Sequence, residues 1–244
     1  MAGFYTQLAR HKTQLYRLLM EILDDPQLAA SCYFKGGTCA ALCGFLDRFS
    51  VDLDFDLAPG QDQTIIESRL LHVFEKLDLE IKDKSQAVLQ FFLKYAAPQG
   101  QRNTLQLDIL PTQTASNEYT QFYLMDVDRY AICQTRATIF ANKLVAPLDR
   151  FERNGTIAGR DIYDIHHFFL QEYEFNRKVI EERRGKSVED HLQELILFIE
   201  RRITQTVINQ DLNTLVEPKK FQQIRKTLKV EVIMLIKAAL LNAE

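Results

Sequence analysis

Apolar and acidic residues alternate strictly over residues 51–57. Every second position carries an apolar side chain, namely Val51, Leu53, Phe55 and Leu57. The positions between them carry Asp52, Asp54 and Asp56. Successive side chains of a strand point to opposite faces, so this pattern predicts a strand with one apolar and one acidic face.

The pattern on either side of this strand predicts a small mixed sheet with flanking helices, an α+β unit. Further strands are predicted at residues 32–34, 79–82, 87–95 and 104–110, the last two joined by a turn at Pro98-Gln99-Gly100. Helices are predicted over residues 1–23, from about 39 to 46, and after the N-cap residue Asp62. This unit is assigned to residues 1–115.

Residues 116–244 have a different character, because their spacing is mainly helical. One strand is predicted at residues 130–134, and helices follow from Arg136 nearly to the end. Pro147 should kink or stop the first of them, because proline removes a backbone hydrogen bond. The orientation of Arg150 and Arg153 stays open for that reason.

Composition narrows the class of protein. A hydrophobic fraction of 46% and a charged fraction of 26% are those of an ordinary globular protein. The net charge of -3 argues against a chain-wide polyanion binder, and two basic clusters in the second half are best explained as solvated faces of mixed charge. Cys39 and Cys43 lie four residues apart and are interpreted as small core residues. No apolar run suits a membrane span, and the chain is expected to be a soluble cytoplasmic protein.

Asp52 and Asp54 stand two residues apart on the predicted strand, so their carboxylates share one face. Like charges this close repel each other, and a divalent cation such as Mg²⁺ or Mn²⁺ relieves the repulsion. Asp108, on the strand at 104–110, would complete a two-metal site. The alternative is that the acidic residues form the solvent face of an edge strand, and a lone Asp-x-Asp pair favours that alternative.

Gly36, Gly37 and Thr38 lie between the strand at 32–34 and the next helix. Glycines let the backbone approach a phosphate closely, and Thr38 can cap the helix or donate to a phosphate oxygen. An ordinary turn is the alternative for this segment alone. The order of strand, glycine turn, helix and acidic strand favours a shared cavity in which phosphates face metal ions.

These motifs resemble the DNA-polymerase-β-like nucleotidyltransferases, and among them the AbiEii/AbiGii family of nucleotidyltransferase toxins. The resemblance begins with residues 35–42, the Arg48-x-Ser50-x-Asp52-x-Asp54-Phe55 stretch and Asp108. It continues in residues 140–144 and 160–164, which are similar to motifs of the family's second domain. The resemblance implies a polymerase-β-like core followed by a mainly α-helical domain.

The resemblance also implies roles for individual residues. Asp52, Asp54 and Asp108 would be the catalytic metal ligands, with Asp108 helping to activate the attacking hydroxyl. Nucleotide binding would fall to Gly36, Gly37, Thr38, Ser50 and Lys143. Lys143 would reach the triphosphate from the helical domain, where an ammonium neutralises charge on the leaving pyrophosphate. Three further residues would line the cleft: Arg48, Arg160 and Asp161. The alternative for Arg160 is that it pairs with a carboxylate instead.

The implied function is transfer of a nucleoside monophosphate from a nucleoside triphosphate to an acceptor hydroxyl. In the toxin branch the acceptor would be RNA, such as the 3′ end of a tRNA, or a protein, and a cognate antitoxin would be a partner. Two alternatives share the fold. One is an enzyme that modifies a small molecule such as an antibiotic, and the other is a non-catalytic nucleotide-binding module.

Overall fold

The computed structural model describes residues 2–241, which form two compact units. The first unit contains the described residues up to Gly44, together with Ser50–Gln113 and Tyr119–Gln134. The second contains Phe45–Phe49, Thr114–Glu118 and the described residues from Thr135 onward. Met1 of the first predicted helix and residues 242–244 of the predicted helical region lie outside the described residues. None of the helices within residues 2–241 has the length and apolarity needed to cross a membrane.

The first unit is a mixed sheet of seven strands with four helices. Its strands are β1 (Cys32–Lys35), β2 (Asp52–Leu57), β3 (Glu80–Lys84), β4 (Leu89–Lys94), β5 (Thr104–Pro111), β6 (Tyr119–Leu124) and β7 (Arg129–Gln134). Its helices are α1 (Ala2–Asp24), α2 (Pro26–Ser31), α3 (Gly36–Leu42) and α4 (Gln63–Lys76). The strand order is β3-β4-β5-β2-β1-β7-β6, with β2 parallel to β5 and β1 parallel to β7. The predicted α+β class with a mixed sheet is confirmed.

The acidic strand β2 lies inside the sheet, between β5 and β1. Leu53 and Phe55 are buried on its apolar side, and Phe55 stacks on Phe34 with ring centroids 5.0 Å apart. The alternative that placed Asp52 and Asp54 on an edge strand is therefore wrong. An interior strand forms backbone hydrogen bonds along both of its edges, so the two neighbouring strands fix the position of these carboxylates.

Two elements differ from the sequence-based prediction. Helix α3 begins at Gly36 and ends at Leu42, so the glycines form its first turn rather than a loop before Cys39. Strand β6 was not predicted, and it pairs with β7 as a hairpin at the sheet edge. Because of this hairpin, Tyr119–Gln134 belongs to the first compact unit, whereas the division at 115/116 assigns it to the second domain. That domain boundary stays a prediction.

The second unit is helical, as predicted for the chain from Arg136. Its helices are α5 (Arg136–Asn154), α6 (Gly159–Leu170), α7 (Arg177–Arg184), α8 (Val188–Arg202), α9 (Gln205–Leu212), α10 (Pro218–Ile224) and α11 (Leu228–Leu241). Of the two effects predicted for Pro147, the stop does not occur, because α5 continues through it, and the kink stays a prediction. Pro147 is buried with Leu144 and Leu148, and burial of this apolar face outweighs the one backbone hydrogen bond that proline removes.

Candidate active site

Two of the three predicted metal ligands are direct neighbours in the first unit. The parallel register of β2 and β5 places Asp54 opposite Asp108, and Asp52 opposite Gln106. Residues paired in register on adjacent strands project from the same face of the sheet, and so do residues i and i+2 of one strand. The three carboxylates therefore share one face.

Asp108 has an unsatisfied carboxylate oxygen. Gln106 Nε2 donates to Asp108 Oδ2 at 2.9 Å, while Asp108 Oδ1 is buried with no hydrogen-bond partner among the residues that the structure describes. Burial raises the pKa of Asp108, against hydrogen bonds from Gln90 and Gln106 and the charge of Lys35. A buried charged oxygen without a donor is costly unless a cation meets it. The atom is thus suited to coordinate a metal ion.

Gly36 lies directly against Asp54. Lys35 pairs with Asp54 in the antiparallel β1–β2 ladder, and Gly36 follows with φ +77. A Cβ at Gly36 would overlap Asp54 Oδ2 and would lie 3.0 Å from Asp54 Cβ and Cγ. Only glycine combines this backbone conformation with this close approach. The glycine-rich segment and the acidic strand are therefore adjacent in the fold.

The remaining predicted residues of this region have mixed surroundings. Thr38 is buried and donates its hydroxyl to the carbonyl oxygen of Asp52 at 2.5 Å, so it does not cap α3. Arg102 Nη2 lies 3.7 Å from Asp52 Oδ1, at a partly exposed position where an ion pair contributes little. Gly37 is buried in α3, and Ser50 is half-buried just before β2.

Asp56 continues the acidic alternation but has a different role. Its buried carboxylate accepts hydrogen bonds from Lys35 Nζ at 2.6 Å, Tyr119 Oη at 2.7 Å and Gln134 Nε2 at 2.8 Å. Three donors satisfy this carboxylate and tie β1, β2, β6 and β7 together. The alternation alone could not separate Asp56 from Asp52 and Asp54, because the difference depends on distant donors.

The second unit contains a buried ionic cluster of Arg48, Lys143 and Asp164. Arg48 Nε and Nη2 donate to the two carboxylate oxygens of Asp164 at 2.5 and 2.7 Å, and Lys143 Nζ lies 2.7 Å from Asp164 Oδ2. Burial alone would raise the pKa of Asp164, but Arg48 and Lys143 lower it to about 2. The sequence did not identify Asp164 as the common partner of these two cations.

The other predicted cleft residues of this unit also have defined positions. Asp161 is buried and pairs with Arg150, whose Nε lies 3.0 Å from Asp161 Oδ2. This pair settles the orientation of Arg150 that Pro147 had left open. Arg160 is half-buried and pairs with no carboxylate of the second unit among the described residues, so its place in the cleft and the alternative of an Arg160–carboxylate pair between the domains both stay predictions.

Four of the five basic residues at 177–186 pair with acidic side chains of the second unit. Arg183 and Arg184 both contact Asp149, and Arg184 also contacts Glu152 at 2.7 Å. Lys186 Nζ lies 3.0 Å from Glu194 Oε2. The interpretation as a face of mixed charge is therefore supported over that of a basic surface for nucleic acid.

The three carboxylates fit a divalent cation of the Mg²⁺ type. Such ions prefer hard oxygen ligands, and two-metal sites of phosphoryl transfer bring carboxylates from neighbouring elements onto shared ions. Asp108 contributes a buried oxygen with no donor, and Gly36 leaves space beside Asp54. The geometry supports phosphate chemistry on this face of the sheet.

Solved structures with similar folds include two bacterial proteins. JHP933 from Helicobacter pylori is 19% identical, with a TM-score of 0.57, over 95% of this chain and 91% of that one. MenT4, a nucleotidyltransferase toxin from Mycobacterium tuberculosis, is 17% identical, with a TM-score of 0.54, over 94% of this chain and 84% of that one. At these identities the likeness shows a common fold.

A sequence search of curated proteins finds no match. The family described as "Nucleotidyl transferase AbiEii toxin, Type IV TA system" matches residues 17–231, which include parts of both compact units. A match over this much of the chain shows the family and, with it, the enzyme class. The chain therefore belongs to the AbiEii family of nucleotidyltransferase toxins of toxin–antitoxin systems.

Proposed function

We propose that this nucleotidyltransferase uses divalent cations, held by Asp52, Asp54 and Asp108, to transfer a nucleoside monophosphate to an acceptor hydroxyl. The observation that carries the proposal is the in-register pair of Asp54 and Asp108, with Asp108 Oδ1 buried and lacking a donor among the side chains that the structure describes. Mg²⁺ is the expected ion, and Mn²⁺ should replace it.

The cations, when bound, supply charge neutralisation for the transferred phosphoryl group and the leaving pyrophosphate. Asp54 and Asp108 contribute carboxylates from adjacent strands, so their separation is set by the sheet rather than by flexible loops. Asp52 lies two residues before Asp54 on the same face of β2. Thr38 holds the backbone of Asp52 through its hydroxyl and thereby fixes the start of β2.

The reaction needs a base near the attacking hydroxyl. A bond forms between the acceptor oxygen and the α-phosphorus, and the bond from that phosphorus to the bridging oxygen of pyrophosphate breaks. We assign the hydroxyl proton to the Asp108 carboxylate. Asp108 lies in register with Asp54 on the adjacent strand, so its carboxylate is placed beside the reacting groups to accept this proton.

Nucleotide binding is assigned to the residues that the family motifs indicate. Gly36 and Gly37 carry no side chains, so phosphate oxygens can approach the backbone of α3 closely. Ser50 would contribute a hydroxyl group, whereas Thr38 would act through Asp52, to whose carbonyl oxygen its hydroxyl donates. Lys143 would neutralise phosphate charge, and Asp164 holds its ammonium in a defined position within the second unit.

The acceptor that we propose is an RNA hydroxyl, such as the 3′ end of a tRNA, and the partner in the cell is a cognate antitoxin. The antitoxin follows from the family, which consists of toxins of toxin–antitoxin systems, whereas the RNA acceptor is what the sequence resemblance implies. A protein hydroxyl is the competing acceptor. The small-molecule alternative has no support from the family match, and the non-catalytic alternative conflicts with a family of transferases.

The test uses each of the four nucleoside triphosphates, labelled at the α-phosphate in one reaction and at the γ-phosphate in a parallel one, with Mg²⁺, total RNA and a protein extract. We expect transfer of label to RNA from the α-position and none from the γ-position, which separates nucleotidyl transfer from phosphorylation. Asp54→Asn and Asp108→Asn should each lose the transfer. The matched control is Asp83→Asn, which removes an exposed carboxylate from β3 of the same sheet.

Two outcomes decide the proposal. Full transfer by Asp54→Asn or Asp108→Asn would contradict the assigned ligands. Label found in protein rather than RNA would keep the enzyme mechanism and replace the acceptor.

A further inference from the structure

Three of the four cysteines converge in the first unit. Cys39 lies in α3, Cys43 caps the C-terminus of that helix, and Cys133 lies in β7. Their Sγ atoms all lie within 4.8 Å of one another, and their exposed fractions are 0%, 8% and 0%. The fourth cysteine, Cys32, is buried in β1 and is not part of this group. We call Cys39, Cys43 and Cys133 the cysteine triad.

The fold builds the triad from distant segments. A spacing of four residues puts Cys39 and Cys43 on one side of α3. Cys133 is paired with Phe34 in the parallel β1–β7 ladder, and the Cys39 thiol donates to the carbonyl oxygen of Phe34 at 3.4 Å. The backbone at Phe34 therefore positions both Cys133 in β7 and Cys39 in α3.

Thiol groups in an apolar core usually pack as small hydrophobic side chains. The triad differs because three sulfur atoms point to one place, where each can bind the same ion. A thiolate is the form that binds metals.

The ligand set selects the type of ion. Sulfur ligands favour soft cations over Mg²⁺, so the triad would not compete for the ion of the aspartate site. Structural zinc sites are almost always four-coordinate, and no His, Asp, Glu or further Cys joins the triad within residues 2–241. A soft monovalent cation with a filled d shell accepts three sulfur ligands without a fourth.

We propose that the cysteine triad binds one thiophilic cation of the Cu(I) class in a three-coordinate, all-sulfur site. Metal–sulfur bonds of roughly 2.3 Å place three ligands about 4 Å apart, so the sulfur atoms need to move by less than about 1 Å. Binding releases the thiol protons to solvent. The site adds a link between α3 and β7, and the loaded protein should melt at a higher temperature than the metal-free protein.

The experiment titrates the full-length, reduced protein with Cu(I) under anaerobic conditions, in competition with the chromogenic chelator bathocuproine disulfonate. We expect the wild-type protein to withdraw one equivalent of Cu(I) from the chelator complex. Cys43→Ser should lose this uptake, whereas Cys32→Ser, which removes a buried cysteine outside the triad, should keep it. X-ray absorption of the loaded wild-type protein should show three sulfur neighbours around copper.

The result that overturns the proposal is less than half an equivalent bound by folded wild-type protein, or equal loss in Cys32→Ser and Cys43→Ser. A disulfide between two triad cysteines in the protein as isolated, found by peptide mapping without reductant, would also overturn it. If Cys43→Ser does not fold, the wild-type absorption spectrum decides alone, and nitrogen or oxygen ligands there exclude the triad. None of these measurements depends on nucleotidyl transfer, so the two proposals fail separately.

Discussion

Replacing Asp108 by Asn should stabilise the metal-free protein while it abolishes nucleotidyl transfer. The substitution keeps the shape of the side chain, and its amide oxygen can still accept the hydrogen bond from Gln106. It removes the charge that leaves Asp108 Oδ1 buried without a donor among the described residues. The same charge is the one that we propose to bind a cation, so stability and function should change in opposite directions.

The expected gain in the free energy of unfolding is small but measurable. An unpartnered buried charge costs more than an unpartnered neutral group, and the Asn amide remains at the position of Oδ1; because Asp108 is only half-buried, we take this difference as about 1 kcal/mol. In a chain of this size that corresponds to a rise of about 2–4 °C in Tm. The gain should depend on pH. Since burial raises the pKa of Asp108, its ionised form destabilises the fold above that pKa, and the penalty disappears once the carboxyl is protonated in both states.

The assay is thermal unfolding of both proteins at pH 7, first with a chelator and then with saturating Mg²⁺. With chelator the variant should melt at the higher temperature, and at a pH below the ordinary carboxyl range the difference should vanish. With Mg²⁺ the order should reverse, because only the wild-type protein gains from the ion. A variant that melts lower than the wild-type protein in chelator would refute the claim that Asp108 Oδ1 lacks a donor.

Asp56→Asn is the matched control on the same acidic strand. Its carboxylate already accepts hydrogen bonds from Lys35, Tyr119 and Gln134. Removal of the charge leaves the Lys35 ammonium without its partner, and we expect a loss of about 2 kcal/mol, below the cost of breaking a fully buried pair. The loss should be the same with chelator and with Mg²⁺.

Three further predictions concern other parts of the chain. Gly36→Ala should lose activity and stability, because its Cβ would overlap the Asp54 carboxylate. Gly100→Ala has the same left-handed backbone but open space at its Cβ, so it should cost about 1–2 kcal/mol and keep activity. Initial rates and unfolding curves compare the two variants. Asp164→Asn should cost about 3–5 kcal/mol because it leaves two cations in the second unit without their shared carboxylate, and urea unfolding at pH 7 measures the loss. Burial lowers the pKa of His11 to about 4. The stability that neutral His11 contributes is therefore complete above pH 6.5 and is lost as the pH falls toward 4. The difference in Tm between wild-type and His11→Gln proteins should shrink over that interval.

The acidic strand could be predicted from the sequence because the pattern that defines it is local. Alternation over seven residues determines which side chains share a face, and a period-2 pattern with one apolar side is specific for a strand. The helices of the second unit could be predicted for the same reason. Strand β6 could not, because all of its side chains except Leu124 are exposed or half-buried and no apolar side identified it.

Partners across long stretches of chain could not be predicted. Arg48 and Asp164 are separated by 116 residues, and only the packing of the second unit brings them together. The distinction between Asp56 and Asp54 depends on Gln134, a donor 78 residues from Asp56. The sequence also treated Cys39 and Cys43 as a local pair, since Cys133 joins them only through the β1–β7 ladder. In each case the local pattern identified the residue type, and the tertiary fold determined its role.

The central claim is that Asp52, Asp54 and Asp108 bind the catalytic cations. The most direct test counts Mn²⁺ ions by electron paramagnetic resonance in the presence of a nucleoside triphosphate with a non-hydrolysable α,β-bridge. The wild-type protein and Asp83→Asn should each bind two ions per chain, and Asp54→Asn and Asp108→Asn should bind fewer. Two ions bound with unchanged affinity by both Asp54→Asn and Asp108→Asn would contradict the assignment of the metal site.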